Sequence, residues 1–505
     1  MALRTMLFAW RFGAEGPPNA FFQALRVPDL VYFLIAGGAL RAGFVPVFTE
    51  MWARGERERA WRTFSSLLWF LVVFGGCVVV LGVVFAPQLA VVVGPGWAKE
   101  HPELLPLCAK LMRLMFPAQL FFVLGGLLMG TLNALQHFLW PGLGPIIYNC
   151  VIIAGILVAA GPEEIWVVAA TVPLGALAGN LLVQVPPLRR LGARLLFVFD
   201  LSDEGLRKTL ALAAPVIFGL AVTELNFVFT SILATLSDPD RGPAVLQYAN
   251  WLWRTPTRVF GAGIAIALFP SLAYHFAKNA TDAFRRDFIL AARAALFTSA
   301  PTFVLLAVMR RPLIEVLYER GRFAAGDVAA VSETLLMYSL GIVPLTLYYL
   351  VARAFYARHD TRTPVVVGIL SLIACVALGW SLMKPLGVPG LALATSAASA
   401  INTAVLWYIL ARRMGGVGTS QLAQLTVRLV PPLAAMGICC ALGVQLTRQV
   451  TYGTLFARFA GLAVGAGVGG AAYLAVSYAL GLPELDMAIA VFRRRRPGAA
   501  DVTEG

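Results

Sequence analysis

Apolar stretches long enough to cross a hydrocarbon core of about 30 Å recur from one end of this chain to the other. We place them at 1–14, 19–53, 60–94, 104–136, 141–161, 164–186, 206–236, 242–276, 284–310, 327–356, 363–384, 388–412, 422–447 and 455–481. Of the 505 residues 59% are hydrophobic and 13% charged, where a soluble domain carries about 45–50% and about 25%. Such a chain cannot cover a water-facing exterior, so its solvent is lipid. The expected fold is an all-α polytopic membrane protein of about 14 transmembrane helices. Several segments exceed one span and contain Pro28, Gly37–Gly38, Pro117, Pro256 or Pro344, so kinks are expected there.

The net charge of +14, from 40 Lys and Arg against 26 Asp and Glu, is then first an orientation signal rather than a nucleic-acid footprint. Bases follow the even-numbered segments: Arg54, Arg57, Arg59 and Arg62; Arg189, Arg190 and Arg194; Lys278, Arg285 and Arg286; Arg358 and Arg362; Arg412 and Arg413; and Arg493 to Arg496 in the tail. Odd exits are mostly poor in bases, with Glu15, then Glu163 and Glu164, then Asp238, Asp240 and Arg241, while the loop after the ninth segment, with Arg310, Arg311, Arg320 and Arg322, breaks the pattern. Both termini are therefore expected in the cytoplasm, with no cleavable signal peptide. The first segment reaches only about half a span. Either that helix is short or the chain starts upstream.

The chain also repeats itself. Phe44-Val45-Pro46-Val47-Phe48 matches Leu268-Phe269-Pro270-Ser271-Leu272, and the offset is 270 − 46 = 224. Asn133 to His137 leading to Pro141 matches Ala354 to Arg358 leading to Pro364, with an offset of 364 − 141 = 223. The organisation expected is two six-helix lobes, 1–195 and 196–415, around a central cavity. Two further helices over 416–485 and a basic cytoplasmic tail over 486–505 complete it. Six helices per copy keep both copies in one orientation, which is a transporter's architecture.

Phe12-Gly13-Ala14, Asn19-Ala20-Phe21-Phe22, Val27-Pro28-Asp29 and Gly38-Ala39 through Phe44-Val45-Pro46 resemble the opening of the MurJ (MviN) lipid II flippases. Pro312-Leu313-Ile314 through Leu317-Tyr318-Glu319-Arg320-Gly321-Arg322-Phe323, and Ala354 to Ala357 with Asp360-Thr361-Arg362-Thr363-Pro364, resemble two further signatures of that family. The resemblance runs from the first residues to the final helices. It implies membership of the multidrug/oligosaccharidyl-lipid/polysaccharide exporter superfamily. It also implies transfer of undecaprenyl-pyrophosphate-linked peptidoglycan precursor to the outer leaflet by alternating access. The setting would be the bacterial cytoplasmic membrane, with a lipid-linked anionic substrate, a monomeric protein and contact with cell-wall synthesis machinery. Arg4 falls on a family arginine, but Asn19 stands for an aspartate, Tyr32 for an arginine, Gly37 for a glutamate and Asn250-Trp251 for an Asp-Arg pair.

Those departures direct attention to other charges inside apolar segments. Arg254 and Arg258 lie three and seven residues beyond Trp251, near one helical face, and Arg26 and Arg41 lie in the second segment. The expectation is a cationic cavity of Arg4, Arg26, Arg41, Arg254 and Arg258, because guanidinium supplies bidentate partners for a pyrophosphate. The competing reading has Arg26 snorkelling to the outer interface and Arg41 pairing with an acid such as Glu50. Glu224, with Asn226, sits in an apolar run and is a candidate for proton or Na⁺ coupling or for pairing with a cavity arginine. Only Ser371 and Cys375 in the eleventh segment could add ligands, which supports sodium poorly.

Six cysteines and four scattered histidines form no metal pattern, so no cofactor or metal site is expected. Gly465-Ala466-Gly467-Val468-Gly469-Gly470 matches a dinucleotide fingerprint, but it lies in an apolar helix. There Gly461, Gly465 and Gly469 read as a packing stripe. No catalytic motif marks an enzyme. The alternatives left open are an exporter of another polyprenyl-linked glycan or a drug, a membrane-embedded glycosyltransferase, and a degenerate homologue without transport.

Overall fold

The computed structural model describes residues 2–35, 39–193, 196–197, 199–450 and 455–486, without the side chains of 39–42, 214–216, 218–223, 447–450 and 455. Gly37, Gly38 and Arg493 to Arg496 therefore lie outside the described residues, as does the side chain of Arg41. Every regular element among the described residues is helical. Among the described residues, ten helices are long and apolar enough to cross a membrane, and an eleventh span forms if Ala325–Ser339 and Ile342–Ala357, bent by 42°, count as one. The remaining expected segments are helical too. They appear as Ala2–Phe12, as the pieces Pro17–Ala24, Arg26–Ile35 and Ala39–Ala53, and as the 34-residue Glu204–Ser237.

Breaks fall beside the expected prolines. Leu104–Met115 gives way to Pro117–Ala134, and Gly242–Pro256 ends in a π-helical turn, Thr257–Ala262, before Gly263–Ala277. Proline removes an amide and crowds the preceding carbonyl, so the ladder must be rearranged there. A second π turn, Leu177–Leu182, interrupts the sixth span. Ala39–Ala53 and Gly263–Ala277 are both 15 residues long and carry Pro46 and Pro270. They begin 263 − 39 = 224 residues apart, the offset read from the sequence.

The chain divides into two compact units. The first comprises Met1–Tyr248, Tyr318–Ala330 and Gly368–Ala394. Its main core joins Phe44, Phe48, Trp61, Phe64, Leu67, Leu127 and Leu206. Glycines set its closest helix contacts: a Cβ on Gly125 would meet the Asn180 carbonyl at 2.5 Å, and one on Gly179 the Gly144 carbonyl at 2.4 Å. Lipid does not drive apolar surfaces together as water does, so such close backbone approach is what associates these helices. The outer face of Arg57–Val84 exposes Val73, Phe74, Val80, Leu81 and Val84. That patch would be untenable in water and suits acyl chains.

The second unit comprises Ala249–Leu317, Val331–Val367 and the chain from Thr395 onward. One core gathers Leu272, Phe288, Leu350, Phe355, Leu406 and Leu410; another gathers Phe297, Met309, Leu429, Cys440 and Tyr473. Gly461, Gly465 and Gly469 are all buried along Leu455–Ala479. A Cβ on Gly443 would lie 2.9 Å from Gly465 Cα, and one on Gly469 would lie 2.2 Å from Cys440 Sγ. Gly465 and Gly469 of the stripe therefore pack helices, while Gly467 and Gly470 have open space where a Cβ would stand.

Asp360 ties two helix ends of this unit together. Its Oδ1 accepts from the Thr363 amide (3.0 Å), and its Oδ2 accepts from the Thr363 hydroxyl (2.6 Å) and from Arg413 Nη1. Arg413 Nη2 also donates to Thr363 Oγ1 (3.2 Å). Burial raises the carboxyl, but the Thr363 hydroxyl and amide and then Arg413 outweigh it, so its pKa falls to about 2. The ordinary value is about 3.9. A depressed folded-state pKa gives stability that is present above the unfolded value and lost as pH falls from about 4 through about 2. Asp360→Asn should therefore melt below the parent at pH 7 by an amount corresponding to about 2 kcal/mol. Melting curves in detergent should converge as pH approaches about 2; a constant gap would remove the ion pair as the cause.

Candidate functional site

Within the first unit, charged side chains meet inside the helix bundle. Arg26 opens the helix Arg26–Ile35 and is only 5% exposed, so it does not snorkel. Its Nε donates to Ser231 Oγ (3.0 Å), its Nη2 donates to Gln247 Oε1 (2.8 Å), and its guanidinium lies 4.3 Å from the centroid of Phe227. The partners are themselves fixed. Ser231 Oγ donates to Gln23 Oε1 (2.7 Å), and Gln23 Nε2 donates to the carbonyls of Val93 and Ser231, both at 2.8 Å.

One turn on, half-buried Asp29 lies within electrostatic range of Arg26, Glu224 and Arg4. Arg4 is half-buried on the helix Ala2–Phe12, its guanidinium 6.0 Å from the centroid of the Tyr148 ring. Of the expected residues, Arg4, Arg26 and Glu224 thus all lie within electrostatic range of Asp29. Two arginines and two carboxylates can balance one another in the absence of a ligand, which lowers the cost of holding charge in an apolar bundle. Asn226 Oδ1 faces the Cys375 thiol at 3.8 Å, and its carbonyl accepts from Thr230 Oγ1 at 2.7 Å. A thiol is a poor ligand for a hard cation.

The departures from the family pattern have local causes. Asn19 is fully buried; its Nδ2 donates to the carbonyls of Ala14 (2.9 Å) and Asp240, while its Oδ1 accepts from the Ala244 amide (2.8 Å). Two carbonyls demand a donor that an aspartate lacks. Tyr32 meets Phe122 in a tilted pair at 5.2 Å, and Phe122 meets Tyr148 at 5.3 Å, so an aromatic run replaces an arginine beside Arg4.

The other candidates belong to the second unit or fall outside the description. Arg41 stands on the helix Ala39–Ala53, and Glu50, its suggested partner, is engaged by Arg54 and Lys208, each at 2.8 Å. Arg254 is half-buried near the end of Gly242–Pro256, and Arg258 is exposed in the following π turn. Arg254 keeps its α-helical spacing from Trp251, but that spacing does not continue through the turn to Arg258. Asn250 is buried, and its Oδ1 has no hydrogen-bond partner among the described residues.

Two neighbours of these charges, and one arginine of the second unit, escaped the sequence reading. Asp29 was legible as an acid three residues after Arg26, on the same helical face. Arg353, between Phe269 (5.7 Å) and Tyr356 (6.0 Å), directly precedes a family signature. Tyr148 carries no charge and gave no signal.

The signature motifs themselves interlock away from these charges. Gly13 (φ 74°) accepts from the Tyr248 hydroxyl at 2.9 Å, and the Arg322 amide donates to the Trp10 carbonyl at 3.1 Å. Tyr248 meets Phe22, Tyr318 and Phe323 at 5.1–5.5 Å.

A family model described as lipid II flippase MurJ matches residues 8–461. A probable lipid II flippase MurJ of Vibrio cholerae is 29% identical over 497 residues, covering 96% of this chain and 94% of its own length. That of Rhizobium tropici is 29% identical over 519 residues, covering 98% and 94%. Among solved structures, a lipid II flippase MurJ in an inward closed conformation superposes with a TM-score of 0.76 at 22% identity, covering 94% of this chain and 95% of that one. An inward-facing multidrug resistance transporter of the MATE family, in the MOP superfamily, superposes at 0.68 with 13% identity, covering 82% and 93%. At these identities the structural likeness is one of fold.

Proposed function

Since the chain belongs to the lipid II flippase MurJ family, we propose that it moves lipid II from the inner to the outer leaflet of the bacterial cytoplasmic membrane by alternating access. The family match over residues 8–461 carries this reading. The buried charges support it, since an arginine inside a membrane bundle is costly, at about 2.5–3.5 kcal/mol on insertion scales, and is a functional suspect by default. Arg4 and Arg26 supply guanidinium groups for the pyrophosphate in the first unit, and Arg41, Arg254 and Arg258 are the further arginines assigned to substrate recognition. Glu224 acts with Asp29 to balance that charge while no substrate is bound, in preference to coupling Na⁺ or protons. The protein transports rather than catalyses, works as a monomer without a cofactor, and keeps both termini in the cytoplasm.

Replacing Arg254 and Arg258 together by alanine should abolish rescue of cells depleted of their own flippase, at unchanged protein level. Each lost charge-assisted hydrogen bond is worth about 1.5–3 kcal/mol, about tenfold or more in affinity. Full rescue would remove both residues from the site. Running lipid II against other polyprenyl-linked glycans in proteoliposomes, with and without ion gradients, tests substrate and coupling together. Equal movement of all of them would sink the lipid II assignment.

A further inference from the structure

Away from the buried charges, the second unit contains a cavity of about 560 Å³ between the start of the helix Thr281–Leu317 and the start of Thr419–Val450. Two guanidinium groups line it, those of Arg285 and Arg286, against a single carboxylate, Asp282. Asp282 is 92% exposed and 3.9 Å from Arg285, so it neutralises little. The cavity is therefore net positive.

Its walls hold the cations in place. Arg285 Nη2 donates to the Gly415 carbonyl at 2.9 Å. Gly415, Gly416 and Gly418 have φ of 68°, 110° and 71°, and a Cβ on Gly416 would stand 3.2 Å from that nitrogen. The glycine turn thus lets the guanidinium close over the backbone. Arg286 is exposed and forms no hydrogen bond or ion pair among the described residues. Opposite them, Thr419 Oγ1 accepts from Trp407 Nε1 at 3.0 Å, which leaves its own proton to donate. The first amides of the helix Thr419–Val450 also lack intrahelical acceptors and add positive potential.

We propose that this cavity binds a phosphate-bearing anion, the headgroup of an acidic membrane phospholipid. Guanidinium pairs recognise phosphate by charge-assisted, forked hydrogen bonds, and a volume of this size accommodates a glycerol phosphate. The lipid source follows from position. Gly263–Ala277 and Val388–Met414 end beside the cavity, and Thr281–Leu317 and Thr419–Val450 begin there, so it lies where apolar spans meet the interface. Ile289 forms part of its wall, and exposed Leu290 and Val427 continue as apolar surface along the outgoing helices. Basic pockets between helix ends at a cytoplasmic face hold acidic headgroups by this chemistry.

The full chain, delipidated in detergent and offered equal phosphatidylglycerol and phosphatidylcholine, should retain the former preferentially when bound lipids are counted by native mass spectrometry. Arg286→Gln should lower that preference about tenfold, the loss of one charge-assisted contact. Its melting temperature should not change, since the side chain supports no other residue. Arg285→Gln with Arg286→Gln should erase the preference. Equal retention of the two lipids by the native chain, or a preference surviving in the double variant, would overturn the site. Displacement of phosphatidylglycerol by millimolar inorganic phosphate would overturn the lipid assignment. No polyprenyl lipid is present in this measurement, so its failure would leave the proposed transport untouched.

Discussion

Gly321→Ala should leave little folded protein in the membrane. Gly321 has φ 62°, and a Cβ there would stand 2.2 Å from the Trp10 carbonyl oxygen and 2.5 Å from its indole Cδ1. The left-handed conformation alone costs an L-residue about 1–2 kcal/mol, and overpacking typically adds about 1–3. Relieving the clash would also pull the Arg322 amide from the Trp10 carbonyl, a bond worth about 1 kcal/mol. The sum, about 3–6 kcal/mol, is a large fraction of the stability of an ordinary domain. Gly55→Ala is the control, since Gly55 has φ 78° with nothing within 4 Å of a Cβ. It should cost only the conformational part. Thermal unfolding of detergent-purified variants compares the two; equal losses would show that the interlock with Trp10 does not matter.

Glu484→Ala should destabilise the second unit comparably. The Glu484 side chain is 1% exposed, and its Oε1 accepts from both Nε (2.6 Å) and Nη2 (2.5 Å) of Arg293. The other oxygen, Oε2, is buried without a partner among the described residues. Removing the carboxylate strands a partly buried guanidinium, a loss of about 3–5 kcal/mol in comparable pairs. Replacing both residues by methionine removes the charge and its counter-charge together and should recover most of the melting temperature. A double variant as unstable as Glu484→Ala would mean that packing, not the uncompensated charge, is what fails.

How far the molecule was legible depended on which force acted. Helix existence followed from composition, because lipid permits few alternatives, and the repeat located Ala39–Ala53 and Gly263–Ala277 at their common offset. Breaks at Pro117 and Pro256 followed from a missing amide. The site was read less well, for a geometric reason. Arg258 was aligned with Trp251 and Arg254 on the assumption of unbroken α periodicity, and the Thr257–Ala262 turn voids that assumption for it. Asn19 looked like a lost charge until its contacts with two carbonyls showed why an amide is required. The partners of Arg26, namely Ser231, Gln247 and Phe227, lie more than 200 residues away in sequence, and no local pattern announces them.

The two π turns bear on how this chain can be compared with its relatives. A π turn holds one residue more than the α turn it replaces, and the surplus is confined to that turn. In any relative whose helix runs straight through, a correct alignment must open a single-residue gap within 177–182 or 257–262. An alignment that refuses the gap stays plausible, because both sides are apolar helix. It would nonetheless assign every residue up to the next loop to a neighbour of its true counterpart. Ancestral reconstructions and chimeras joined inside these spans would inherit that slip of one.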